Sequence, residues 1–343
     1  MSVTGGAGPP PGGILDLLVV GAGPTGLAIG AEAMRAGLSV LLVERGGLCE
    51  SIRGYPTEMV FFTTRERLEI AGIPFAIPEA KPVRRQALAY YREVARTWRI
   101  PLALHEAVEG VERLAEGFRI LGRRRGRQHE RYARAVALAT GYFGRPLRLE
   151  VPGEELPWVH QRFCEPYGHF ADRVVVIGGG NSAAEAALEL HRWGAEVTLV
   201  HRGPELKPGV KYWLKPDIEN RIAEGSIRAL FGHRVRSFGP HGVEVEGPLG
   251  NERLAAEAAY VLIGYLPELE LAEACGVTID PRTLEPRIDP ETCESDVPGL
   301  YVAGTLQAGR ATDRIFIENS RDHGPRIVGH LLARRESLDG RHV

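Results

Sequence analysis

Two short stretches, GAGPTGLA at residues 21–28 and GGGNSA at 178–183, have the residue types and spacing that hold a phosphate. In the first, Gly21 permits a tight turn, Gly23 lets the backbone approach a pyrophosphate, and Gly26 allows a helix to sit close on a strand. The N-terminus of that helix attracts negative charge. Glu44 follows roughly 20 residues later, the spacing at which a carboxylate accepts the ribose hydroxyls of a dinucleotide. The second stretch places Gly178, Gly180 and Ala183 at the same three positions, but no acid follows. His201 and Arg202 stand there instead, and a cation at that point accommodates a 2′-phosphate that a carboxylate would repel, which favours NADP over NAD. Of the chain's lysines, Lys81 lies elsewhere, whereas Lys207, Lys211 and Lys215 follow Arg202 closely.

The elements that must position these residues are legible around them. Ile14 to Val20 is an apolar run that stops at glycine, LAIGAEAMRAGL has helical character, and SVLLVE returns as a second strand. That is a β-α-β unit, and RVVVIGGGNSAAEAALELHRWGAEVTLVHRG repeats it. The fold class is therefore α/β with two Rossmann-like dinucleotide-binding domains. Two loops imply two dinucleotides, and the economical pair is a resident flavin with a visiting nicotinamide.

Composition narrows the remaining classes. At 343 residues with 44% hydrophobic side chains, the chain is long enough for two ordinary domains. A net charge of −2 gives no global positive field for nucleic acid or an anionic membrane. The basic cluster GRRRGRQHER, residues 122–131, lies between strand-like FRIL and ARAVALA segments and reads as a solvated hairpin. Cys49, Cys164, Cys275 and Cys293 are widely spaced, with no zinc-ligand spacing, so no metal is expected and a reducing, cytoplasmic setting is. Residues 1–13 lack the basic and apolar regions of a signal peptide and read as a disordered tail. No apolar run is long enough to span a bilayer.

Further stretches resemble one family in detail: ESIRGYPTEMVFF after Glu44, KPVRRQALAYYREV, ATGYFG, IGGGNSAAEAALEL, IGYLPE, and AGRATDRIFIENSRDHG near the C-terminus. From Ile14 to about Leu332 the chain is similar to the bacillithiol-disulfide reductase family of thioredoxin-reductase-like flavoproteins. VALATGY at 136–142 and GLYVAGT at 299–305 resemble the strands by which such proteins leave and re-enter a discontinuous FAD domain. The resemblance implies an FAD-binding domain over 1–143 and 266–343, with an NADPH-binding domain over 144–265. It implies FAD contacts from Gly21, Gly23, Pro24, Thr25, Gly26, Glu44, Arg45, Ser51, Tyr55, Val108, Thr140, Gly141, Gly304 and Ile315. For NADPH it implies Gly178, Gly180, Asn181, Ser182, Ala183, Arg202, Lys211 and Gly264. The implied reaction passes electrons from NADPH through FAD to a low-molecular-weight disulfide or a small redox protein, in a homodimer.

One position departs from the family pattern. Where the family commonly has a cysteine beside the flavin at a helix N-terminus, this chain has Thr25, whose hydroxyl cannot form a mixed disulfide. Thr25 reads instead as a loop residue whose hydroxyl or backbone N–H faces the flavin or pyrophosphate. Cys49, in RGGLCESIRGYP, is the one cysteine with a route to the ring, although a small buried hydrophobe is its ordinary role. His160, His169 and His323 are candidate proton donors to a leaving thiolate, with His323 the strongest. Helical spacing places Tyr91 in the core and turns Tyr90 elsewhere. Three alternatives stay open: a ferredoxin- or flavodoxin-linked reductase docking through the arginines at 123–127, a flavin monooxygenase, and a non-enzymatic flavin redox sensor.

Overall fold

The computed structural model describes residues 13–312 and 314–339. The tail expected over 1–13 lies, Gly13 apart, outside them. The described residues form two compact units, one of 13–54, 58–144, 267–312 and 314–339, the other of 55–57 and 145–266.

The first unit begins with β1 (Leu15–Val20), α1 (Pro24–Arg35) and β2 (Val40–Glu44), followed by the short helices α2 (Glu50–Arg53) and α3 (Arg65–Leu68). The expected β-α-β unit is present, because the apolar runs pair in parallel over Leu17–Val40 to Val20–Val43. Helix α4 (Arg84–Thr97), β3 (Leu102–Leu104), β4 (Glu106–Arg113), β5 (Phe118–Arg124) and the long β6 (Arg127–Leu138) complete this part. The Arg-rich segment is the hairpin between β5 and β6, closed at Arg124–Arg127. Its two-residue turn holds Arg125 at φ 49° and Gly126 at φ 78°, a conformation whose twist matches that of the strands. Helix α4 buries Tyr91 as expected, and it also buries Tyr90. The Tyr90 hydroxyl donates to Ile73 O (2.7 Å) and accepts from Ile70 N (2.9 Å), while its ring stacks on Phe75 at 4.2 Å, so the 70–75 loop covers a side that spacing alone leaves open.

The second unit holds β7 (Arg145–Pro146), β8 (Val159–His160), β9 (Arg173–Ile177), α5 (Asn181–Arg192), β10 (Glu196–His201), α6 (Lys215–Ala223), β11 (Arg228–Phe231), β12 (Arg234–Gly239), β13 (Gly242–Gly247), β14 (Gly250–Ala255), β15 (Ala258–Val261) and β16 (Tyr265–Leu266). Its parallel sheet has the order β11-β10-β9-β15-β8, with β12, β13 and β14 as an antiparallel meander. Residues 55–57 join this unit, and Thr57 N donates to Cys164 O at 2.8 Å.

The chain returns to the first unit through α7 (Glu270–Ala274), β17 (Leu300–Val302), α8 (Ile317–Ser320) and α9 (His323–Asp339). Strand β17 pairs in parallel with β6 over Leu300–Val136 to Val302–Leu138. Order in this sheet is β3-β2-β1-β6-β5-β4, with β17 also on β6. No helix among the described residues is long and apolar enough to cross a membrane.

Strand β6 separates the arginine tip from the functional edge. Its 12 residues put Arg127 roughly 35 Å from Leu138 at the usual rise per residue. Arg123 is moreover paired with Glu109. A redox protein docked on these arginines, the role considered for residues 123–127, would sit at the end of β6 remote from Leu138. The turn itself is strained, because Arg125 adopts the left-handed conformation that asparagine tolerates better. Arg125→Asn is expected to raise stability by about 0.5 to 1 kcal/mol, read in a denaturant melt, since Asn-Gly suits this turn. An unchanged or lower midpoint would contradict it.

Candidate functional site

Strand register builds the first site. Val20 is level with Val43 on one side and Leu138 on the other, and Leu138 is level with Val302. The residues that follow these strands therefore emerge at one edge, where ligands of open parallel sheets bind. Those residues are Gly21, Glu44, Ala139 to Gly141, and Ala303 to Gly304. Gly21 has φ 109°, and a Cβ there would come within 2.4 Å of Ala139 O. At Gly26 a Cβ would lie 2.1 Å from Gly21 O, so α1 can cross the strand end only because this residue has no side chain. A Cβ at Gly23 would meet nothing within 4 Å, leaving an open cradle in front of the helix N-terminus. Pro24 occupies the first helical turn, where its missing N–H is not needed. Glu44 is buried and fixes the loop, accepting from Ala22 N (2.9 Å) and Gly46 N (2.8 Å). Each carboxylate oxygen retains a lone pair for a ribose hydroxyl. Thr140 Oγ1 is buried at the same edge without a hydrogen-bond partner among the described residues, an orphan that a bound ligand would satisfy.

Of the two groups by which Thr25 was expected to face a ligand, the hydroxyl is engaged within the protein. Thr25 lies in the first turn of α1, and its hydroxyl is 3.0 Å from Ser320 Oγ. Its side chain also fills the space beside Gly304, where a Cβ would come within 2.9 Å of Thr25 Oγ1. The hydroxyl is thus engaged with the C-terminal segment, and sequence reasoning missed Ser320 as its partner. Gly304 N in turn donates to His323 Nδ1 at 3.1 Å. His323 is 5% exposed, and burial, followed by the nearby Arg326, lowers its pKa to about 4. It is neutral near pH 7, with Nδ1 as acceptor and the proton on Nε2.

The cysteines offer no thiolate at this edge. Cys49 is 1% exposed, and burial, then Glu44, pushes its thiol far above the ordinary range. Its backbone is left-handed at φ 54°, and its N–H donates to Ala22 O, so it braces the glycine loop. Cys275 is pushed by burial to about 11 and donates to Val111 O, and burial also raises Cys293. Cys164 is exposed and belongs to the second unit. The remaining expected contacts are more scattered. Arg45 makes a bidentate pair with Glu268 at 2.8 and 3.0 Å. Ser51 lies in α2, Tyr55 belongs to the second unit, Val108 packs on the core at a β-bulge, Gly141 has φ 73°, and Ile315 is half-buried before α8.

The second unit repeats the edge. Ile177 is level with Val200 and Val261, so Gly178, His201 and Leu262 emerge together, with Gly264 two residues on at φ 118°. A Cβ at Gly178 would lie 2.4 Å from Leu262 O and 2.9 Å from the Ala183 Cβ. Gly180 is nearly open, with Lys207 Cδ at 3.9 Å from a Cβ. Ser182 is exposed and Ala183 buried. Asn181 opens α5 and reaches sideways, accepting from Lys211 N (2.9 Å) and donating to Gly209 O (3.2 Å). Lys211 Nζ is 3.3 Å from Glu185. Arg202 is exposed at the strand end, as a phosphate ligand needs to be. His201 is not a second cation there: it is buried, its ring fills the space that Cβ atoms at Gly179 and Gly203 would occupy, and burial, then Lys207 and Arg202, lowers its pKa. His160 and His169 also lie in this unit, around Tyr260, with His169 between Asp172 and the Tyr260 hydroxyl.

The pyridine nucleotide-disulphide oxidoreductase family matches residues 18–304. The chain belongs to that family. It is 37% identical over 323 residues to the bacilliredoxin reductase Bdr of Bacillus subtilis, spanning 93% of this chain and 98% of that one. The structure of bacillithiol disulfide reductase Bdr from Bacillus cereus superposes with a TM-score of 0.92 at 35% identity, over 94% of this chain and all of that one. The thioredoxin reductase of T. acidophilum shares the fold at 20% identity and a TM-score of 0.74, over 94% and 98% of the two chains.

Titration of His323 has a defined consequence for stability. Its pKa is near 6.5 unfolded and about 4 folded, so its contribution is complete above pH 6.5. As pH falls towards 4 the unfolded state takes up the proton first, and about 3 kcal/mol is lost. Urea unfolding of the parent chain and of His323→Asn, which keeps an acceptor but does not titrate, is expected to show this difference growing from pH 7 to pH 4. Parallel pH profiles would contradict it.

Proposed function

We propose that this chain is an NADPH-dependent FAD oxidoreductase that reduces a low-molecular-weight disulfide of the bacillithiol type. One observation carries the reading: a single chain holds two glycine-loop edges, one level with a buried carboxylate, Glu44, and the other with an exposed guanidinium, Arg202. The solved structures named bacillithiol disulfide reductase support this acceptor, and the relative named bacilliredoxin reductase supports a small redox protein as the other partner class. NADPH, a proton and one disulfide give NADP⁺ and two thiols.

The first edge fits FAD. The open face of Gly23 and the N-terminus of α1 would take the pyrophosphate, Glu44 would orient the ribose, and Thr140 Oγ1 would gain the partner it lacks among the described residues. The second edge fits NADPH, with the pyrophosphate at Gly178, Gly180 and Ser182 and the 2′-phosphate at Arg202 and Lys207. When bound, the flavin supplies the two-electron chemistry between nicotinamide and disulfide. Protein groups bind, orient and exclude water. His323, neutral and held on Gly304 N, keeps the β17 end in place, and Thr25 with Ser320 ties it to α1. No step is assigned to a thiol at position 25, nor to Cys49 with its raised pKa. Cytoplasm is the compartment that suits four cysteines outside any disulfide.

Nicotinamide choice tests this reading. Arg202→Ala is expected to cost about 1.5 to 3 kcal/mol in kcat/KM for NADPH, the range for hydrogen bonds to charged groups, and to leave NADH nearly unaffected. Equal use of NADPH and NADH by the parent enzyme would overturn it.

A further inference from the structure

The loop between β10 and α6 is fastened to the second glycine loop at several points. Leu206 and Val210 are buried in the core of the second unit. Lys207 N donates to Gly179 O at 2.8 Å, and Asn181 holds both Lys211 N and Gly209 O through its side chain. Lys211 Nζ reaches Glu185 on the next turn of α5. Residues 207–211 therefore lie across the first turn of α5, hydrogen-bonded to it or to its preceding loop at both ends.

Directly after the last of these anchors, Tyr212 is 80% exposed. Its ring meets the 40%-exposed Trp213 edge to face, with centroids 4.9 Å apart and planes at 89°. A large aromatic ring left in water is unusual on a loop held this firmly, because the same anchors could have folded it inward. Two cations, Arg202 and Lys207, are exposed on the same loop. An aromatic face, two cations and a helix N-terminus together match a heteroaromatic base that carries phosphates.

We propose that Tyr212 stacks on the adenine ring of NADPH and sets the affinity for the adenosine end of that cofactor. The inference rests on the reading that the second glycine loop holds NADPH. Rigid fastening means that the platform is formed before the nucleotide arrives, so little ordering opposes binding. Because Arg202 lies in the same loop, stacking and 2′-phosphate contact act on one end of the ligand.

The test is calorimetric titration of the FAD-loaded full chain with adenosine 2′,5′-bisphosphate and with NADP⁺, comparing the parent, Tyr212→Leu and Tyr212→Phe. Tyr212→Leu is expected to weaken both ligands about tenfold, and Tyr212→Phe, which keeps the ring, by less than about twofold. Melting temperatures of the variants check that the exposed substitution leaves the fold intact. Unchanged affinity in Tyr212→Leu would overturn the stacking while leaving the NADPH site standing. Weakening for NADP⁺ but not for the bisphosphate would put the ring at the nicotinamide end and overturn it equally. If neither ligand binds the parent chain, the NADPH reading of this loop fails, and the stacking with it.

Discussion

Everything at the two sites depends on how closely a helix can approach the end of the strand before it. In the first unit the limit is set at Gly26, where a Cβ would sit 2.1 Å from Gly21 O. In the second it is set at Gly178, which a Cβ would force onto Leu262 O and Ala183. The strand-end glycine is needed in both loops, since a Cβ at Gly21 would also meet Ala139 O, whereas at the third loop position the second unit accepts the methyl group of Ala183. In both units the close approach aims the first N–H groups of a helix at one edge of a parallel sheet. Edge and helix then form one anion-binding surface, and the loops supply only its particular ligands.

A second feature distinguishes the first unit, namely a joint between the beginning and the end of the chain. Thr25 on α1, Gly304 after β17, Ser320 at the end of α8 and His323 at the start of α9 meet in one small group. The oxygen at position 25 is therefore used to hold the fold. A residue that bonds Ser320 and packs on Gly304 has a structural reason to be present even where no thiol chemistry occurs. Chemistry at this edge then depends on the bound cofactor and on the geometry around it, without a protein thiolate among the described residues of this unit.

Much of this was legible in the sequence because it is local. Gly21, Gly23, Gly26, Gly178 and Gly180 act through the backbone within a few residues, and Glu44 and Arg202 are fixed by the length of one β-α-β unit. The rest depended on distant partners. Ser320 lies 295 residues from Thr25, and no spacing rule links them. His201 reads as a strand-end cation until Gly179 and Gly203 are seen to leave room for its ring. Tyr90 turns inward because the 70–75 loop supplies both a ring and two backbone partners. The arginine hairpin was recognised as a hairpin, but the length of β6, which separates it from the functional edge, appears only once the strands are paired.

Thr25, bonded to Ser320, and the buried Cys49 point to electron transfer from NADPH without a protein thiolate beside the flavin. Anaerobic titration of the FAD-loaded chain with NADPH, followed across the visible spectrum, tests it most directly. Bleaching of the flavin to the two-electron level with no long-wavelength thiolate charge-transfer band is expected, both in the parent chain and in Cys49→Ser. A charge-transfer band in the parent chain that disappears in Cys49→Ser would contradict it, because the buried Cys49 thiol, whose pKa burial raises, would then be the working group.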